Sequence, residues 1–212
     1  VSGPPPGGTP APAWSRSLPD DDMPSRQTVS YTGLFDDVAG DAWYAPAVDY
    51  VKYGRIMNGM GSNRFQPNTQ MTRAMFAQVL YALEGAPSVR GLSCPFTDAG
   101  GSWYTDAVIW AYNAGVVAGV SPTRFAPNEA LTREQMVTML YGYAGREQAL
   151  SGPDGALAGY QDQARVSTWA REAMAWAVGT GVIAGTSATT LAPRKTGTRA
   201  EVATVLMRFC EQ

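Results

Sequence analysis

The chain runs to 212 residues, 45% of them hydrophobic, enough for a compact domain with a core of its own. A formal charge of −2 and a pI of about 5.1 weigh against nucleic acid or an anionic membrane as the main partner, since both call for a basic surface. Histidine is absent, which excludes Ser-His-Asp and Cys-His nucleophilic sites and histidine-ligated metals. No metal and no cofactor is expected.

Residues 1–30 stand apart in composition. They open on VSGPPPGGTPAPAW, followed by three aspartates at 20–22, and read as a semi-rigid Pro/Gly-rich linker without a core. No secretion signal is visible at Val1, which fits a processed chain or a piece of a larger one. The longest apolar run, near residues 107–120, is broken by Tyr112, Asn113 and two glycines, and is shorter than the roughly 18 residues a membrane-spanning helix requires. Cys94 and Cys210 are too few for a four-ligand zinc site. They could pair as a disulfide outside the cell or stand as two unlinked thiols, and spacing alone leaves both open.

From Phe35 onward the chain repeats itself three times. Trp43, Trp103 and Trp169 align, as do Gly59, Gly119 and Gly185, then Pro67, Pro127 and Pro193, then Arg73, Arg133 and Arg199. The copies occupy residues 31–90, 91–150 and 151–212, with cores expected at about 35–85, 96–145 and 160–210. Each copy reads as helix, structured loop, helix. The first helix begins just after the tryptophan, where Pro46, Asp106 and Glu172 share a first-turn position that tolerates proline or acid. A Gly-rich apolar loop follows, then Phe65-x-Pro67, Phe125-x-Pro127 or Leu191-x-Pro193. In the second helix Phe76, Val79, Leu80 and Leu83 recur at i, i+3, i+4 and i+7, matched by Met136, Met139, Leu140 and Tyr143 and by Val202, Val205, Leu206 and Phe209. One helix pair cannot bury such a stripe. Three copies around a common axis can, so the expected fold is a mostly α domain, three helix-loop-helix repeats packed as a pseudo-three-fold trimer.

The second helices open on MTRAMF, LTREQM and GTRAEV. Thr72, Thr132 and Thr198 fit the N-cap, and Gln135 and Glu201 complete capping boxes in copies two and three. The arginine that follows each threonine is not explained by capping, because a cation in the first turn opposes the helix dipole. Two readings remain open. Each arginine, with free amides at the helix start, could hold a carboxylate or phosphate. It could equally form an internal salt bridge to Asp37, Asp98 or Asp162.

An aromatic residue with Asp two positions on, a Trp, a Gly-rich apolar loop, Phe-x-Pro and a helix opening on Thr-Arg-Ala-Glu resemble the S-layer-homology family over residues 35–209. The resemblance implies three helical repeats with grooves between adjacent copies. It further implies a non-covalent anchor, extracellular at the bacterial cell wall or S-layer, that binds a secondary cell-wall polysaccharide through a pyruvylated amino sugar. By motif position the implied ligand-binding residues are Arg73, Arg133 and Arg199, then Asp37, Asp98 and Asp162, and Trp43, Trp103 and Trp169. The tryptophans are also open to a plainer reading, as core aromatics packed on a neighbouring copy. If the arginines grip a ligand, Arg→Ala should cost binding and little stability.

The copies depart from the family pattern at Met75, at Glu134-Gln135, at Tyr160 and Leu191, at Gly197, and at Arg55, which stands where Gly115 and Gly181 stand elsewhere. The grooves therefore need not be equivalent. Besides a carbohydrate-binding anchor, expected to be monomeric alone, a self-assembly module building a surface array by protein–protein contacts is the alternative. A glycoside hydrolase is disfavoured, since no acid pair stands outside the repeat pattern, and no catalytic residue is assigned.

Overall fold

The structure is a computed structural model and describes residues 34–212 apart from 147 and 148. The linker expected over residues 1–30 lies outside the described residues. Among the described residues there are six α-helices: α1 (Ala45–Tyr53), α2 (Arg73–Leu83), α3 (Thr105–Asn113), α4 (Arg133–Ala144), α5 (Arg171–Gly179) and α6 (Arg199–Cys210). Copy three adds two short 3₁₀ turns, Gln163–Arg165 and Thr168–Ala170. The fold is mostly α, and the described residues form only isolated β-bridges, not a sheet.

The copies interlock. Helix α3 packs on α2, α5 on α4, and α1 returns to pack on α6. Each first helix thus lies against the second helix of the preceding copy, and copy one closes on copy three. An open solenoid would lack that last contact. The twelve stripe residues of α2, α4 and α6 are all buried, as expected. Aromatic contacts mark the seams: Tyr81 meets Trp110 at 5.6 Å, Tyr141 meets Trp176 at 5.7 Å, and Tyr143 meets Phe209 at 6.2 Å.

Three backbone hydrogen bonds close a ring around the pseudo-three-fold axis. Met71 N donates to Gly197 O at 3.0 Å, Gly197 N to Leu131 O at 3.0 Å, and Leu131 N to Met71 O at 2.8 Å. Met71, Leu131 and Gly197 occupy one position of the repeat, just before the capping threonine. Each bond crosses between copies, so removing any copy opens the ring and leaves buried backbone groups unpaired. Cys94 and Cys210 are both free, and Cys210 is buried in the core, so the disulfide option is not realised.

The loop glycines are required by close approach. A Cβ on Gly59 would stand 2.7 Å from the Phe35 ring and 2.8 Å from Arg64 O, and Gly119 and Gly185 meet the equivalent ring and carbonyl. The apolar loop is thereby pressed against the leading aromatic of its own copy.

Candidate functional site

All three second helices carry complete capping boxes. The threonine oxygens accept the amides of Met75, Gln135 and Glu201, and each of those side chains accepts the threonine amide in return. Copy one was expected to lack the reciprocal bond, yet Met75 Sδ takes it at 3.4 Å, a soft acceptor in place of the usual oxygen.

The next amides of each helix are not free either. Arg73 N donates to Glu129 O and Ala74 N to Pro127 O, and copies two and three repeat the pattern through Lys195 O with Pro193 O and Thr69 O with Pro67 O. The helix starts therefore stitch each copy to the next, which corrects the expectation of open amides awaiting an anion.

The arginine side chains are buried, with Arg73, Arg133 and Arg199 only 5%, 7% and 4% exposed. Their partners are backbone carbonyls of the following copy. Arg73 Nε donates to Phe125 O at 2.8 Å and its Nη2 to Ala118 O at 3.3 Å. Arg133 reaches Leu191 O at 3.0 Å and Ala184 O at 2.7 Å, and Arg199 reaches Phe65 O and Asn58 O, each at 2.7 Å. Two of the guanidinium groups also lie over aromatic rings, Arg73 at 4.6 Å from Phe125 and Arg199 at 4.5 Å from Phe65. Copy three has Leu191 at that position, so Arg133 has no ring beneath it.

Among the described residues no salt bridge joins these arginines to Asp37, Asp98 or Asp162, so the salt-bridge reading is corrected: each aspartate acts on its arginine only at longer range. The aspartates hold the other side of the same peptide. Asp98 accepts Phe125 N and Ala126 N, both at 2.9 Å, while Asp37 takes Phe65 N and Gln66 N and Asp162 takes Leu191 N and Ala192 N. Gln66, Ala126 and Ala192 sit at φ of 57°, 60° and 52°, a left-handed conformation that disfavours a side chain. Each carboxylate thus fixes a strained turn from one side and the arginine of the preceding copy grips it from the other. Burial would raise the Asp98 and Asp162 pKa values, but the amide donors outweigh it and hold both below the ordinary carboxylate range. For the three arginines burial dominates and pushes the pKa down, to about 10 for Arg199; a guanidinium stays protonated in proteins, so each remains a cation at neutral pH.

The tryptophans are not core. Trp43, Trp103 and Trp169 are 66%, 63% and 57% exposed. Trp43 and Trp103 stand edge-on against their neighbours Tyr44 and Tyr104, at 5.3 and 5.1 Å. Trp169 has Ala170 as its neighbour and a different support. Buried Glu134, where copies one and three have alanine, accepts Ser167 N at 3.0 Å and Ser167 Oγ at 2.9 Å. Ser167 opens the 3₁₀ turn that carries Trp169.

Two grooves bring the arginines and tryptophans together. The larger, about 540 Å³, is lined by Arg73 of copy one, Val116, Val120 and Met139 of copy two, and Trp169 of copy three. The second, about 260 Å³, is lined by Arg133 of copy two, Gly185, Lys195 and Arg208 of copy three, and Trp43 of copy one. Each groove draws on all three copies. The aspartates line neither. For the third position, the rotation relates Arg199, the 57–60 loop and exposed Trp103, and Arg199 makes the matching carbonyl bonds. Among the described residues, no protein acceptor beyond those two carbonyls meets any of the three guanidinium groups. In the sequence Glu134, Lys195 and Arg208 look like surface charges. The usable signal was their absence from the equivalent positions of the other copies.

A family model described as the S-layer homology domain matches residues 34–77, 95–137 and 159–203, one match for each copy of the groove-forming motif. The chain belongs to the S-layer homology family. It is 31% identical over 81% of its length to an endoglucanase of Bacillus sp. (strain KSM-635), covering 18% of that protein. It is 30% identical over 84% of its length to the surface-layer 125 kDa protein of Lysinibacillus sphaericus, covering 15% of it. It is also 29% identical over 86% of its length to an amylopullulanase of Thermoanaerobacterium thermosulfurigenes, covering 10% of it. The S-layer homology chain thus spans only a small part of these relatives, a module shared by surface-layer proteins and polysaccharide-degrading enzymes. That distribution supports a cell-surface anchoring role. No described helix is long and apolar enough to cross a membrane.

Proposed function

We propose that the chain anchors a larger protein to the cell wall by gripping an acidic secondary polysaccharide in the grooves between its copies. The observation that carries this reading is a buried guanidinium with spare donors lining a groove beside an exposed tryptophan, found twice. A ring face suits the apolar side of a pyranose, and the remaining N–H groups suit a carboxylate in two-pronged geometry. A pyruvate ketal on an amino sugar presents a carboxylate and a methyl group together. The groove at Arg73 offers Val116, Val120 and Met139 for the methyl and the guanidinium for the charge. In this reading the aspartates act through the loop they fix and do not touch the sugar, and the chain binds without chemistry.

A pull-down with purified wall sacculi tests it, using the intact chain before and after the secondary polymer is chemically stripped. Retention should be lost on stripping. Equal retention on bare peptidoglycan would contradict the reading.

A further inference from the structure

The two grooves share a backbone frame but not a charge. The Arg73 groove has Gln135, Thr138 and Met139 along α4, so Arg73 is the one charged residue lining it. The Arg133 groove has Glu201, Thr204 and Arg208 along α6, with Lys195 beside them. Repeat alignment shows how local the change is. Arg208 stands where copies one and two have Ala82 and Gly142, and Lys195 where they have Thr69 and Glu129.

Glu201 is the one acid lining the groove, against three cations. One of its oxygens pairs with Lys195 Nζ, and the other accepts Thr198 N at 2.9 Å in the capping box. Arg208 is exposed and meets no acid among the described residues. A cation in the last turn of α6 suits the helix dipole, which accounts for Arg208 in part. That does not explain why Lys195, from the loop at the opposite end of α6, lines the same small cavity. Three cations, Arg133, Lys195 and Arg208, thus line one groove against a single carboxylate, Glu201, and the excess positive charge is an arrangement that an anion of matching charge relieves.

We infer that the Arg133 groove takes a phosphate-bearing sugar, a dianion, while the Arg73 groove takes the carboxylate-bearing one, so the module reads two substituents and not one. This rests on the glycan reading above and extends it to a second ligand class. A phosphate monoester carries close to two charges at neutral pH and presents three acceptor oxygens. It fits three donor-bearing side chains better than a single carboxylate does. The smaller cavity, 260 Å³, sets Trp43, Ile183 and Val205 beside its charged side chains, which suits a sugar ring carrying a compact polar head.

Indole N–H signals of Trp43 and Trp169 report the two grooves separately in an NMR titration of the intact chain. Probes are N-acetylglucosamine 6-phosphate, inorganic phosphate and a 4,6-pyruvylated N-acetylhexosamine methyl glycoside. The sugar phosphate should move Trp43 and leave Trp169 in place. The double variant Arg208→Ala with Lys195→Thr, which installs the residues copy one carries, should fold normally and weaken that titration at least tenfold. It should leave the pyruvylated sugar at Trp169 unchanged. A silent Trp43, equal response at both tryptophans, or an unchanged affinity in the double variant would overturn the assignment. So would inorganic phosphate binding as tightly as the sugar phosphate, since the site would then hold a free ion and not a glycan. Failure of the pyruvylated sugar alone at Trp169 would strike the carboxylate reading and leave the phosphate assignment standing.

Discussion

The Arg73 and Arg133 grooves are built on the same skeleton and finished differently. In both, an arginine of one copy holds two carbonyls of the next, while an aspartate of that next copy holds the amides of the same turn. What differs is what lies around that frame. Arg73 rests on the Phe125 ring, and Arg133 has only Leu191. Trp43 is braced by Tyr44, and Trp169 by the Glu134–Ser167 hydrogen bonds. The lesson is a division of labour. Contacts to the main chain between copies preserve the groove, and on the function proposed above a few side chains that break the repeat set what each groove holds.

The largest test of the shared skeleton is to remove one copy. Deleting residues 161–212 takes away α6, on which α1 packs, two bonds of the Met71–Leu131–Gly197 ring, and Trp169 from the Arg73 groove. The remainder should show no cooperative melting transition by circular dichroism. A sharp transition would mean the copies are separable units.

Next in size are the arginines. The expectation that Arg→Ala spares the fold does not survive their burial. Losing Arg73 leaves two carbonyls short of a donor and vacates the space over Phe125, which should cost about 2–4 kcal/mol in denaturant unfolding. Arg133→Ala should cost roughly 1 kcal/mol less, because it has no ring contact to lose. Equal costs would show that Phe125 adds nothing. Loss of binding in these variants is therefore poor evidence by itself, and the exposed tryptophans are the better probes.

Glu134→Ala separates the grooves most cleanly. It removes two charge-assisted hydrogen bonds to Ser167 and should free Trp169, weakening glycan binding at the Arg73 groove about tenfold. Affinity reported by Trp43 should not change. A parallel loss at both grooves would indicate general unfolding instead.

Acid should act through the aspartates. Asp98 and Asp162 have depressed folded-state pKa values, so their contribution is present above the ordinary carboxylate pKa and is lost as pH falls through the folded value. Stability should hold near neutrality and decline below about pH 4. An Asp98→Asn variant should show a shallower decline, and an identical pH profile would mean this carboxylate is not what acid attacks. The smallest effect is expected at Arg55, held at φ 56° where copies two and three have glycine. Arg55→Gly should stabilise by about 1 kcal/mol, and a loss of melting temperature would point to an undetected role for the side chain.

Much of the fold was legible in the sequence because repetition makes periodic signals reinforce one another. The α2, α4 and α6 stripes, the threonine caps and the three-fold closure follow from aligned positions. The site was legible only in part. Arg73, Arg133 and Arg199 stood out because capping left them over, but a sequence does not display backbone carbonyls, which turned out to be their partners. The role of Asp37, Asp98 and Asp162 depends on a left-handed turn at Gln66, Ala126 and Ala192, a conformation that glycine would have advertised and these residues conceal. Trp43 and Trp169 could not be placed because each joins a groove made by the two other copies, a contact set by the closed ring and not by local spacing.

In the function proposed above, a guanidinium at the groove recognises a carboxylate on the wall glycan. Calorimetric titration of the intact chain with the 4,6-pyruvylated hexosamine glycoside, beside the same sugar lacking the ketal, tests it most directly. Saturable binding is expected for the ketal and at least a tenfold loss without it, with Trp169→Ala weakening the ketal alone while melting temperature is unchanged. Equal affinity for both sugars would contradict the claim.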